Sequence, residues 1–209
     1  MTVLFICRMG IILDEDNYIQ ESIRQFLIHL KYLTDTKTGL LFHGWSFIDK
    51  NNFAGALWGR GNAWFSAALV DYLEMVTLPE GVEWFLLSSF KRQVRKLAEL
   101  QSKEGLWHTL LDDPSSYVEM SATAGFAYSI LKGIRKGYLD KEYLPIGIKA
   151  VKGVISNIDH NGVVHGVSGG TAMGSTLQHY KDIPQSPMPY GQTMALLMLV
   201  ELLKHKITN

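Results

Sequence analysis

The amino-acid sequence predicts an all-α fold in which helical hairpins stack side by side. Apolar residues recur at helical spacing through most of the chain, and long irregular stretches separate the helical ones. A turn pattern of a polar pair, a glycine, a few apolar residues and a histidine also occurs three times, about 60 residues apart. Because one helix pair cannot bury its apolar faces alone, such units either continue as a superhelix or close into an α/α barrel.

Two helices are predicted in the N-terminal part of the chain. Residues 1–10 are mostly apolar, and because no capping residue precedes them, the chain is expected to begin inside a helix. Residues 14–32 have the spacing of an amphipathic helix, which Asp14 or Asp16 could cap. Turn residues end this helix, and an irregular stretch over residues 40–59 follows.

The remaining helices follow from the same signals. Apolar periodicity and breaker residues such as Pro79 delimit each of them. The predicted helices cover residues 62–75, 81–101, 119–136, 140–157 (capped by Asp140) and 191–205. A glycine- and proline-rich loop over residues 166–189 precedes the last helix. The long loops all follow a glycine–histidine turn, so they fall at one end of the stack, where a rigid scaffold can present functional residues.

The composition narrows the classes of function. A length of 209 residues suits one domain over residues 1–209, and 20 basic residues balance 20 acidic ones, which argues against nucleic acid as a partner. The single cysteine, Cys7, excludes an intrachain disulfide. No apolar run reaches membrane-spanning length, and residues 1–13 lack the features of a signal peptide, so the sequence predicts a cytoplasmic protein without a membrane partner.

The stretch from Leu57 to Trp64 is the strongest candidate for a binding site. It places Arg60 between Trp58 and Trp64, with a glycine on either side of the arginine. The guanidinium is a planar fork suited to a carboxylate, and the indoles are flat faces on which a sugar ring could stack. The structural alternative is that both tryptophans are core residues and that Arg60 pairs with a buried acid. The combination favours a corner that binds an anionic, ring-shaped ligand.

The repeated turns place further candidates near this corner. His43 follows the first turn, so we expect it to converge with Trp58, Arg60 and Trp64 at the loop end. His108 and His165 share the repeat position of His43, and a structural bond to a loop carbonyl is the favoured interpretation of both. Tyr180, within the long loop, either contacts a sugar or is an ordinary surface tyrosine.

Acidic residues near the loop end have structural explanations. Asp112 and Asp113 precede a proline and fit a turn, while Glu119 fits a helix cap alongside Ser121. They are the fallback candidates for a catalytic acid. The histidines lack metal-ligand spacing and residues 169–174 follow no strand, so the sequence predicts neither a metal nor another cofactor.

Four segments resemble glycoside hydrolase family 105, the unsaturated rhamnogalacturonyl hydrolases, and its relatives in family 88, the unsaturated glucuronyl hydrolases. They are Leu-Phe-His-Gly-Trp at 41–45, Leu-Trp-Gly-Arg-Gly-Asn-Ala-Trp at 57–64, Glu-Met-Ser-Ala-Thr-Ala at 119–124 and Pro-Met-Pro-Tyr-Gly-Gln at 187–192. The resemblance implies an (α/α)6 barrel whose loop end binds oligosaccharides capped by a 4,5-unsaturated uronic acid, as arise in pectin degradation. It also implies that His43, Trp58, Arg60 and Trp64 line that site.

The resemblance further implies a reaction that hydrates the vinyl ether and releases the next sugar, with an aspartic acid as proton donor. In the family this residue begins a helix, in a sequence like Asp-Thr-Leu-Phe. Here Met1-Thr2-Val3-Leu4-Phe5 resembles the run that follows it, so the catalytic residue is unknown within the chain and is expected before Met1.

The repeat length leads to the same expectation of an N-terminally truncated enzyme. At about 60 residues per hairpin, six hairpins need roughly 360 residues, so this chain holds an incomplete barrel of about three and a half hairpins. We therefore expect it to be inactive alone and to leave apolar residues uncovered, among them Val3, Leu4, Ile6 and Ile11. Such a face favours homo-oligomers. The alternative function is a non-catalytic helical-repeat module that binds a glycan or a peptide.

Overall fold

The computed structural model describes the backbone of residues 2–207 and the side chains of residues 2–205, and every regular element in that part is a helix. The helices are α1 (Thr2–Leu13), α2 (Asp16–Leu33), α3 (Gly59–Met75), α4 (Glu80–Leu100), α5 (Met120–Arg135), α6 (Leu144–Ile155), α7 (Leu177–Lys181) and α8 (Pro189–Ile207), with a 3₁₀ turn at Lys141–Tyr143. Extended pairing between the described residues is limited to isolated bridges. The all-α prediction is therefore confirmed.

The helices form two layers. In the layer that we call inner, α1 contacts α3, α3 contacts α5 and α5 contacts α8. In the outer layer, α2 packs on α1, α4 on α3 and α6 on α5. Because α5 lies between α3 and α8 and in front of α6, every residue from Met120 to Gly133 is buried. Small residues allow this close packing: a Cβ on Gly125 would lie 3.0 Å from the Cβ of Ala63.

The predicted repeat is present in the backbone. Gly39, Gly105 and Gly162 have φ values of 81°, 87° and 80°, so each turn uses the left-handed region that favours glycine. Each turn is also closed by the same two backbone hydrogen bonds. The residue before the turn donates its N–H to the carbonyl of the residue after the glycine, and its own carbonyl accepts from the glycine N–H. The first bond joins Asp35 N–H with Leu40 O, Ser102 N–H with Leu106 O and Asp159 N–H with Val163 O, and all of these bonds measure 2.8–3.0 Å.

These shared hydrogen bonds correct the position of one histidine. The residue two positions after the accepting carbonyl is Phe42 in the first turn, His108 in the second and His165 in the third. His43 therefore lies one residue beyond the position that the other two histidines share. Successive side chains of an extended segment point to opposite sides. His43 therefore faces a different environment from the other two histidines.

Helix boundaries differ from the predictions at functionally relevant places. Helix α3 begins at Gly59, three residues before the prediction, so Arg60 lies in its first turn. The reason is a close approach of backbones: Gly59 N–H donates to Thr109 O over 2.8 Å, and a Cβ on Gly59 would lie 2.9 Å from His108 O. The long loop contains the short helix α7, which was not predicted from the sequence.

The predicted caps were wrong in two cases. The N-cap residue of α2 is Glu15, which makes no capping side-chain bond, and Asp14 before it has a φ of 55°. Asp140 precedes the 3₁₀ turn, again without a side-chain cap bond. Backbone hydrogen bonds serve this junction instead. Glu15 N–H donates to Gly10 O of α1 over 2.9 Å, and Glu15 O accepts from Tyr18 N–H at the start of α2 over 3.1 Å.

The two edges of the inner layer carry exposed apolar side chains. Ile11 is exposed as predicted, but Val3 is buried at 8% exposure because it packs into the core, and Leu4 and Ile6 are partly buried. The prediction was therefore wrong for Val3. Other exposed apolar residues on α1 and α8 are Phe5, Ile12, Leu13, Leu196, Val200 and Leu203. Within residues 2–207, no helix combines the length and apolar character that a bilayer crossing requires.

Candidate functional site

The first turn of α3 and the segment before it bring three of the predicted residues together. The imidazole of His43 lies 4.2 Å from the Trp58 ring, and the Arg60 guanidinium lies 4.6 Å from the same indole. A backbone bond from His43 N–H to Ala56 O, 2.9 Å long, joins the two segments. The predicted convergence of His43, Trp58 and Arg60 is therefore confirmed.

Asn62 holds this corner in place. Its side chain accepts from Leu41 N–H and donates to Leu41 O, both over 2.8 Å, and also donates to Trp58 O over 2.9 Å. Gln93, from α4, donates to the Asn62 side chain over 3.0 Å. Asn62 is buried, and it was not among the predicted site residues. Its place two residues after Arg60 in the motif was the available signal.

Trp64 and His43 line one cavity, with a volume of about 240 Å³. Gly61 forms part of its wall, where a Cβ would lie 3.0 Å from the Trp58 indole. A second cavity of about 300 Å³ shares His29, Leu33 and His43 with the first, so the two form one cleft beside His43.

Aromatic residues line the second compartment of this cleft. Trp45 and Phe47 lie 5.3 Å and 4.9 Å from the Tyr32 ring, and Phe47 is 66% exposed. Exposed aromatic faces of this kind suit the stacking of a sugar ring. His29 reaches both compartments from α2. These four residues were not predicted as site residues. Helix α2, which carries His29 and Tyr32, was interpreted only through its apolar periodicity, and Trp45 and Phe47 lie in the irregular stretch that follows it.

Arg60 differs from the prediction. Its side chain is buried at 3% exposure, and its terminal nitrogens donate to acceptors of one loop. The acceptors are Ser168 O (2.6 Å), Ser168 Oγ (2.8 Å), Gly169 O (2.7 Å) and Thr171 Oγ1 (3.0 Å). The fork predicted for a ligand carboxylate is therefore occupied by the protein, and Arg60 anchors the long loop. The structural alternative expected a buried acid as its partner, and Glu119 lies 3.9 Å from the guanidinium.

Glu119 completes this anchor. Its carboxylate is fully buried, lies 3.9 Å from the Arg60 guanidinium, and accepts from Ala122 N–H over 2.6 Å, from Ser121 Oγ and from Ser168 N–H over 3.0 Å. The prediction that Glu119 caps its helix alongside Ser121 is confirmed. Because the carboxylate is fully buried and accepts these bonds from the protein, it is not accessible to a ligand.

The other fallback acids lie in a surface turn. Asp113 accepts from Lys181 and from Ser115, and these bonds lower the pKa of its carboxyl to about 2. It is therefore ionised at neutral pH and unsuited to donate a proton. Asp112 is exposed in the same turn, as predicted.

The remaining predicted residues have structural roles. Tyr180 is only 1% exposed, so it is neither a surface residue nor placed to contact a ligand directly, and its hydroxyl lies 2.8 Å from His43 Nδ1. His108 bonds to Ser116 O, as expected of a structural histidine. His165 instead bonds to the Asp159 carboxylate over 2.9 Å.

Comparison with known protein families gives a match over nearly the whole chain. Residues 1–206 match the Glycosyl Hydrolase Family 88. The unsaturated rhamnogalacturonyl hydrolase YesR of Bacillus subtilis is 33% identical over 207 residues, which are 99% of this chain and 58% of that protein. The resemblance to these families is therefore confirmed.

Two solved structures share the fold closely. A possible member of GH105 from Klebsiella pneumoniae has a TM-score of 0.95 at 48% identity, covering 98% of this chain and 54% of its own. A second, from Salmonella enterica, has a TM-score of 0.97 at 46% identity, covering 99% and 55%. The α/α toroid prediction is confirmed by these matches. The chain spans just over half the length of each relative.

Proposed function

Because this chain belongs to glycosyl hydrolase family 88, we propose that its loop end binds oligosaccharides capped by a 4,5-unsaturated uronic acid. The observation that carries the proposal is the cleft in which His43 and Trp64 line one cavity beside Trp58. The relative from Bacillus subtilis is named an unsaturated rhamnogalacturonyl hydrolase, which supports the same substrate class.

The cleft has the character of a sugar site. Its two compartments, of about 240 and 300 Å³, approach the size of small-molecule sites in proteins. Trp64 and Trp45 supply flat apolar walls, while His43 and His29 supply polar groups. Such a combination orients a ring by stacking and fixes it by a few hydrogen bonds. Arg60 acts indirectly here, since it holds the loop that packs on His43.

The proposed reaction of the whole enzyme is hydration of the vinyl ether. A proton adds to one alkene carbon and water oxygen to the other, and the resulting hemiketal opens and releases the next sugar. Glu119 is fully buried and bonded within the protein, and Asp113 is paired with Lys181. We therefore propose that neither serves as the proton donor and that this chain alone is inactive. The measurement is loss of the ultraviolet absorbance of the conjugated alkene, and turnover at a family-like rate would contradict this.

A thermal-shift titration with an unsaturated digalacturonide or a rhamnogalacturonan disaccharide tests binding. A ligand that binds only the folded chain raises its melting temperature by mass action. We expect Trp64→Ala to abolish the shift. Trp84→Ala, which removes a tryptophan from the exposed side of α4, is the matched control and should keep it.

A second function is favoured by the engagement of Glu119 and Asp113 in bonds within the protein. A non-catalytic module would bind the same sugar without turnover, or bind a peptide instead. If the saturated form of the same disaccharide raises the melting temperature as much as the unsaturated form does, the chain is a glycan-binding module that does not recognise the alkene. No shift with any sugar, in a chain that melts cooperatively, contradicts both glycan proposals and leaves the peptide module.

A further inference from the structure

The long loop carries a tyrosine that contacts His43 from behind the cleft. Tyr180 lies on α7, is 1% exposed, and places its hydroxyl 2.8 Å from His43 Nδ1. The same hydroxyl accepts from Gly174 N–H over 3.1 Å. Ring contacts hold the phenol, since Trp58 and His179 lie 6.4 Å and 5.3 Å from it, the latter edge-on.

Counting donors and acceptors assigns the proton between Tyr180 and His43. A hydroxyl has one proton to donate and accepts through its lone pairs. Gly174 N–H must donate, because a backbone nitrogen has no acceptor. If His43 Nδ1–H also donated, the buried Tyr180 proton would have no acceptor among the described residues. Buried polar groups are nearly always paired. The Tyr180 O–H therefore donates to Nδ1 of His43.

The charge around His43 is consistent with this assignment. Burial of the imidazole, together with the nearby positive charge of Arg60 and the neighbouring His179, lowers the pKa of His43 to about 4. The ring is therefore neutral at physiological pH and carries one proton. His29, on α2, is the other titratable group that lines the same cavity.

We propose that Tyr180 is a positioning residue that holds His43 as the Nε2–H tautomer, which then serves as a hydrogen-bond donor to the ligand. Neutral histidine has one protonated nitrogen, so an acceptor at Nδ1 requires a donor at Nε2. Among the described residues, Tyr180 is the hydrogen-bond partner of the ring, at Nδ1, and the ring lines both compartments of the cleft. The ligand class rests on the proposed function, whereas the tautomer rests on the free protein.

This arrangement also gives the long loop a role in the cleft. Arg60 anchors the loop at residues 168–171, and the loop returns through α7 to place Tyr180 against His43. The guanidinium and the phenol pack on the same Trp58 indole. Arg60 thus supports the contact between Tyr180 and His43 by anchoring the loop that carries Tyr180.

Nitrogen-15 NMR of histidine-labelled protein, without ligand, tests the assignment directly. The two ring nitrogens of a neutral histidine have distinct shifts according to which carries the proton. We expect His43 to be protonated at Nε2 in the wild-type chain at pH 7. In Tyr180→Phe we expect a mixture of tautomers. Tyr72→Phe removes a buried hydroxyl that bonds to Ser22 rather than to His43, and Tyr72 does not line the cleft, so this variant is the control and should leave His43 unchanged.

Sugar titration of the same variants completes the test. Loss of one hydrogen bond in the ligand-bound state corresponds to an affinity decrease of roughly two- to tenfold, expected for Tyr180→Phe but not for Tyr72→Phe. A wild-type His43 protonated at Nδ1 overturns the proposal, whatever the variants do, and so does an unchanged tautomer in a folded Tyr180→Phe. If wild-type His43 carries its proton at Nε2 but no sugar binds, the proposed function fails while the tautomer assignment stands.

Discussion

At the scale of single residues, the Arg60 side chain shows how neighbours determine a role. An arginine between two tryptophans can hold a carboxylate, but here one loop supplies acceptors to both of its terminal nitrogens. The guanidinium also lies 4.5 Å from the Tyr190 ring, so aromatic faces and loop carbonyls enclose it together. Its chemistry is that of an anchor for a glycine-rich segment.

Arg60→Lys should therefore be destabilising. An ammonium is a point charge that cannot reach all of these acceptors, so the buried Ser168 O and the half-buried Gly169 O each lose a charged donor. Tyr190 and Thr171 hydroxyls still donate to these two carbonyls, so the loss is that of the charged hydrogen bonds, at about 1.5–3 kcal/mol each. We expect a clear loss in the free energy of unfolding, measured with urea, and weaker sugar binding through the displaced loop. Arg24→Lys, on an exposed pair with Glu21, is the control and should change little. Equal stability of both variants would refute the anchor.

His43 gives a pH dependence of known sign. Its pKa is lowered to about 4 by burial and by Arg60, while an unfolded chain titrates near the ordinary value of 6.5. The unfolded state therefore binds more protons between these values, so the contribution to stability is complete above pH 6.5 and falls as the pH is lowered toward 4. We expect the stability of His43→Gln to decline less steeply than that of the wild type between pH 6.5 and pH 5. Thermal melts at a series of pH values measure this decline. An equally steep decline in His43→Gln and in the wild type would contradict the prediction. The control is His165→Gln, which changes an exposed histidine.

At the scale of elements, the three repeated turns decide how each hairpin is closed. The glycine of the second turn is constrained twice, because Gly105 has a φ of 87° and a Cβ there would lie 2.4 Å from Lys149 O in α6. The turn between α4 and α5 is thus fitted against the backbone of the neighbouring hairpin. Glycine is required there by the contact as well as by the dihedral angle.

A pair of glycine substitutions separates these two effects. Gly137 has a φ of 74°, but a Cβ added there would meet nothing within 4 Å, so Gly137→Ala introduces backbone strain alone, about 1–2 kcal/mol. Gly105→Ala adds a clash with a main-chain carbonyl, and overpacking costs about 1–3 kcal/mol more. We expect the larger loss in urea denaturation for Gly105→Ala. Equal losses would show that the close approach to Lys149 O relaxes freely.

At the scale of the whole molecule, the two edges of the inner layer, helices α1 and α8, expose large apolar side chains to solvent. Ile12 on α1 and Leu203 on α8 are 67% and 58% exposed, beside other apolar neighbours on the same helices. Exposed apolar side chains concentrated on one helix face are typical of interaction surfaces when they form a patch. The solved relatives contain chain beyond the matched part, since the match covers 54% and 55% of them.

We predict that the purified chain associates with itself through these edges. Analytical ultracentrifugation should show a mass that rises with concentration, and Ile12→Glu combined with Leu203→Glu should lower it because charges would be buried. Trp84→Glu, on the outer helix α4 at 68% exposure, is the control and should not change the mass. A monomer at every concentration would contradict the prediction, as would equal effects of the edge and control variants.

The sequence by itself determined the features that depend on local patterns. Helical periodicity placed the long helices to within a few residues, glycines marked turns that need positive φ, and the Trp58–Trp64 motif identified the corner and the family. The helix cap by Glu119 was also predictable, because a capping carboxylate acts within three residues of its own position.

Tertiary structure decided the features that depend on distant partners. Arg60 meets Ser168 across 108 positions and His43 meets Tyr180 across 137, and neither pairing leaves a periodic or local signal in the sequence. The displacement of His43 by one position from the repeat likewise became visible only through backbone hydrogen bonds. Hydrogen-bond satisfaction in a buried loop is a property of the packed chain, and it determined which donors remain for a ligand.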